Sequence, residues 1–182
     1  MTKEELVYSL IQSKAGSDQF MKGLSAIAGF PFTLLTDAGT VFSLYTPMLE
    51  QIRAVYGRSS PPPGVARSLL EVDQRECLSD LAANIIFRQI PLIGMPVGVV
   101  YAKVMTWRLG ILFAMLAAKG DDFTTENAKN ALHVIHALFL RKGEAVFLTP
   151  SEDAVKKLLK EVQDCGTQDF DAKCVKILGA VS

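Results

Sequence analysis

Few residues in this sequence have the type and spacing needed for chemistry. His133 and His136 are three residues apart, close enough on one helix to share a divalent metal. Ala128, Ala131, Leu132, Ile135, Leu138 and Phe139 recur at helical spacing around them. On that wheel His133 points away from the apolar stripe and His136 lies at its border, an ordinary surface arrangement with no third ligand nearby. Asp121, Asp122 and Glu126 precede the same helix but lack the ligand spacing of an EF-hand loop. They read instead as acids that complement a helix N-terminus capped by Thr124 or Thr125. Cys77, Cys165 and Cys174 have no metal-ligand spacing; as an odd, sparse set they read as free thiols of a reducing compartment, although Cys165–Cys174 could bridge on spacing alone. The sequence contains neither Gly-x-Ser-x-Gly nor the phosphate-binding Gly-x-x-x-x-Gly-Lys-[Ser/Thr]. No acid–base pair or nucleophile can be assembled, so the expectation is a non-enzymatic protein with no catalytic residue, no metal site and no cofactor.

The unusual charges are those inside apolar runs. Asp37 lies within residues 23–49, and Lys103 and Arg108 interrupt "IPLIGMPVGVVYAKVMTWRLGILFAMLAAKG", residues 90–120. An isolated charge in such surroundings costs several kcal/mol. Asp37, Lys103 and Arg108 are therefore the candidate buried charge pair, structural in the first instance and a ligand or lipid-headgroup pocket in the second. Gly94, Gly98 and Gly110 lie on the same stretch and would let another helix approach closely.

The elements that must position these residues are helical throughout. Thr2 and Glu5 have the capping-box pattern and open a helix to about Lys14. Further helices are predicted over Ser17–Ala28 and from Pro31 to Gly57, the latter kinked or divided at Pro47. After the turn "RSSPPPG", Leu70, Cys77, Leu78, Leu81, Ala82 and Ile85 mark a fourth. The stretch beyond Pro96 supplies a fifth, ending at Gly120, and residues 128–139 a sixth. Thr149, Pro150 and Glu152 fit the cap, first and third positions of a seventh, with Ala154, Val155, Leu158, Leu159 and Val162 on one side and Lys156, Lys157 and Lys160 largely opposite. Phe170, Cys174, Ile177 and Leu178 mark a short last one. No alternating strand or internal repeat appears. The expected fold is a single all-α domain, a bundle of about seven to eight helices around a long apolar helical hairpin.

Whether that hairpin spans a membrane is a question of magnitudes. A spanning helix needs about 20 apolar residues nearly free of charge. The longest uncharged run here, Gln89–Ala102, has fourteen residues, with two prolines and two glycines among them. The Leu, Ile, Val and Phe side chains of residues 90–120 favour insertion by about 5 kcal/mol, and Lys103 with Arg108 opposes it by about 5–7 kcal/mol. Residues 23–49 are borderline for the same reason, with Asp37 costing about 3 kcal/mol. Both segments have the apolarity of central helices buried on nearly all sides.

Composition agrees with a modest core. The 182 residues suit one domain, 49% hydrophobic and 21% charged, with a mean hydropathy of +0.26. A chain of this length buries about 70% of its unfolded surface. Nineteen basic and nineteen acidic side chains cancel and are evenly scattered, which argues against nucleic acid as the main partner. The N-terminus carries acids early and lacks an apolar signal segment, so cytoplasmic residence is expected.

"AIAGFPFTLLTDAGTVFSLYTPMLEQIRAVYG" followed by "IPLIGMPVGVVYAKVMTWRLGILFAML" resembles the EcsC-like proteins of bacteria, and the related uncharacterised domain that follows some small bacterial GTPase modules. The shared features are Gly29, Asp37, Tyr56 and Gly57 in the first segment and Ile90, Pro91, Gly94 and Gly98 in the second. The family often shows Asn where this chain has Ala102 or Lys103. The resemblance covers about residues 24–118 and implies a helical domain associated with membranes or membrane machinery, without known catalysis. Residues 113–139 also look a little like TerB-type tellurite-resistance modules, in which acids such as Asp121, Asp122 and Glu126 would face a cation. Two functions follow as expectations. One is a membrane-associated accessory or regulatory protein, peripheral at the inner face of the membrane. The other is a wholly soluble helical module, able to form a homo-oligomer, whose apolar surface binds a protein partner.

Overall fold

The computed structural model describes residues 1–17, 38–59, 97–120, 131 and 149–163. Among them are four α-helices and no strand: α1 (Lys3–Ala15), α2 (Ala38–Val55), α3 (Val97–Lys119) and α4 (Glu152–Gln163). The fold class of the described part is all-α.

Each helix is bounded by chemistry visible in the sequence. In α1 the Thr2 hydroxyl accepts from the Glu5 amide and the Glu5 carboxylate accepts from the Thr2 amide, completing the capping box. Helix α2 runs unbroken through Pro47, which is exposed. It ends in a Schellman motif, with Gly57 amide to Ala54 carbonyl and Arg58 amide to Arg53 carbonyl both at 3.0 Å. Gly57 is left-handed there, at φ 67°. Helix α3 stops at Gly120, φ 74°, whose amide returns to the Leu116 carbonyl. Helix α4 begins at Glu152 and not at Pro150, because the Ser151 carbonyl accepts its first helical bond, from Val155. Pro150 stays outside the helix, where its own carbonyl accepts from the Tyr8 hydroxyl at 3.1 Å.

The packing is organised around α3. Every residue from Val104 to Ala118 is buried, and α1, α2 and α4 all lie against this helix. Thr106, Trp107 and Arg108 show the enclosure most directly. Successive residues turn about 100° around a helix, so these three point to three different sides. All are at most 3% exposed. The neighbours each contribute one stripe at three- and four-residue spacing. These stripes are Val7, Tyr8, Ile11 and Ala15 from α1, Tyr45, Met48, Leu49 and Ile52 from α2, and Val155, Leu158, Leu159 and Val162 from α4.

Two contacts fix the direction of α2 against α3. Tyr45 reaches Thr106 with the hydroxyl oxygens 3.1 Å apart, and Arg58 Nε donates to the Ala117 carbonyl at 3.4 Å. Residue numbers rise together along both helices, so α2 and α3 run side by side in the same sense. An antiparallel arrangement of these two would reverse one order. The physical allowance is the connection, residues 60–96, far longer than the roughly two to five residues that close an αα-hairpin. The helices expected over Ser17–Ala28, residues 70–85, 128–139 and 170–178 lie essentially outside the described residues, as does most of "RSSPPPG".

Parallel neighbours bring two helix C-termini together, and Arg58 serves both. Its amide closes the end of α2, while its guanidinium donates to a carbonyl in the last turn of α3. A Cβ on Gly120 would collide with that guanidinium, whereas one on Gly57 would meet nothing within 4 Å. Gly57→Ala is therefore expected to cost only the left-handed backbone, about 1 kcal/mol, and Gly120→Ala the same plus the small cost of displacing the flexible Arg58 guanidinium from Ala117. In denaturant titrations Arg58→Ala should relieve part of the Gly120→Ala loss; equal losses at both glycines, unaffected by Arg58→Ala, would contradict this arrangement.

Candidate functional site

The polar residues buried along α3 are the described group that departs most from plain apolar packing. Thr106 is 0% exposed and donates to the Ala102 carbonyl one turn earlier at 2.7 Å. That bond uses its single proton, so the Tyr45 hydroxyl must be the donor in the contact between the two. A directed chain results: Tyr45 to Thr106 to the α3 backbone. Mid-helix threonines commonly bond back to the preceding turn in this way.

Arg108 is two residues further on and 3% exposed. Its side chain is engaged in an interaction, as burial of a cation requires. Lys103 is half-buried on the same helix. Five residues separate it from Arg108, which places the two about 140° apart around the axis. Asp37 lies outside the described residues, immediately before the start of α2, and so does its proposed pairing with Arg108.

The three glycines divide similarly. Gly94 lies outside the described residues, and Gly98 belongs to the first turn of α3. Gly110 is buried, and a Cβ there would lie 2.6–2.9 Å from three side-chain carbons of Ile11. The helix that comes close at Gly110 is thus α1, with Ile11 filling the space a side chain would occupy.

Trp107, beside this contact, is 0% exposed and stacks at a tilt on Tyr8, ring centroids 5.0 Å apart. Its Nε1–H finds no acceptor among the described residues. Leaving such a donor buried costs about 1–3 kcal/mol, which the surrounding apolar contacts must offset. The Tyr56 hydroxyl is likewise buried without a partner among the described residues. Burial, with the charge of Glu4 as the smaller cause, raises its pKa well above the usual tyrosine range. Tyr8 is raised in the same direction by burial and then by Glu152, so both phenols remain protonated at neutral pH.

The His133–His136 pair, the acids Asp121, Asp122 and Glu126, and the three cysteines lie outside the described residues. Among the described ones, no three His, Cys, Asp or Glu side chains gather to hold a metal. Tyr45, Thr106 and Tyr8 did not stand out in the sequence. The available signal was a hydroxyl at Thr106 beside two charges in an apolar run. Comparison with protein-family models, with curated proteins and with solved structures finds no match to this chain.

What this arrangement can do is fix the register of α2 on α3 from within a sealed core. Tyr45→Phe and Thr106→Val are each expected to cost about 0.5–3 kcal/mol in chemical denaturation. The double variant should lose less than the sum, by about 0.5 kcal/mol or more, because both singles break one bond. Strictly additive losses would show that the pair does not couple the helices.

Proposed function

We propose that this chain is a non-enzymatic helical accessory domain that works by binding another protein, with its most apolar helix kept inside the bundle. The observation that carries this reading is the enclosure of α3. Its buried run from Val104 to Ala118 packs on α1, α2 and α4, and contact with lipid would require stripping those helices away. Among the described residues, no helix is long and apolar enough to cross a membrane. Tyr45 and Thr106 bond to each other and to the backbone inside the core, so this buried polar chain serves the packing that keeps α3 enclosed.

The finer architecture we propose is a single domain of seven to eight helices in which α2 and α3 form the apolar centre, and in which Asp37 supplies a counter-charge for Arg108. The resemblance to bacterial EcsC-like proteins supports an accessory or regulatory role beside membrane machinery. On this reading the domain is cytoplasmic, and any residence at the inner face of the membrane comes through its partner. Homo-oligomers are compatible with the same role. No nucleic acid, cofactor or metal is part of it.

Flotation of the full-length chain with lipid vesicles, with and without anionic lipid, at low salt tests the proposal. The expected result is that the protein stays behind in both gradients. Flotation with vesicles made of lipid alone would overturn this reading and restore direct membrane association.

A further inference from the structure

We draw no further inference here: the strongest candidate, the buried Tyr8–Trp107 side-chain cluster between α1 and α3, is part of the core already described, and nothing among the described residues shows what its indole Nε1–H would bind.

Discussion

A helix that is apolar around its whole circumference has to be surrounded, and this requirement on α3 shapes the described structure. No single neighbour can satisfy it. An ordinary amphipathic helix buries one stripe and leaves the other side to water. With Thr106, Trp107 and Arg108 pointing three ways and all buried, α3 has no water side in this region. Helices α1, α2 and α4 each turn one stripe inward, and the charged residues of α4 fall largely on its outer side. The hydrophobic effect that would drive such a segment into lipid is met here by protein.

Apolar packing alone would leave the helices free to slide, and the polar groups limit that freedom. The Tyr45–Thr106 contact ties the middle of α2 to α3, while Arg58 ties their shared C-terminal end. Gly110 provides a steric counterpart: without a side chain it lets Ile11 seat against α3 at one position along the helix. The parallel sense of α2 and α3 follows from where these contacts fall. It also explains why a single arginine can complete two helix ends.

Much of this was legible in the sequence, and the rest was not for identifiable reasons. The α1 capping box, the stop at Gly57 and Gly120, the α4 stripe and the all-round apolarity of α3 depend on neighbours within a few residues, which periodicity and cap chemistry report. The bond between Tyr45 and Thr106 joins residues 61 apart, and no local pattern encodes it. The direction of α2 relative to α3 depends on the path of residues 60–96, which hydrophobic spacing does not specify. Helix α4 starts two residues later than Pro150, whose carbonyl accepts instead from Tyr8, a tertiary contact invisible locally. Of the charges singled out, Arg108 is buried as its apolar setting implied. Lys103 lies on another side of α3, and Asp37 is outside the described residues.

The central claim is that protein, and not lipid or water, surrounds α3 in the folded chain. Trp107 is the single tryptophan of the sequence, 0% exposed at the middle of that helix, and so reports on it directly. Its fluorescence in detergent-free buffer, measured with acrylamide as quencher and then with vesicles of brominated lipid, tests the claim. The account predicts blue-shifted emission, weak acrylamide quenching and no quenching by the brominated vesicles. Red-shifted emission with strong acrylamide quenching, or strong quenching by the brominated lipid, would contradict it.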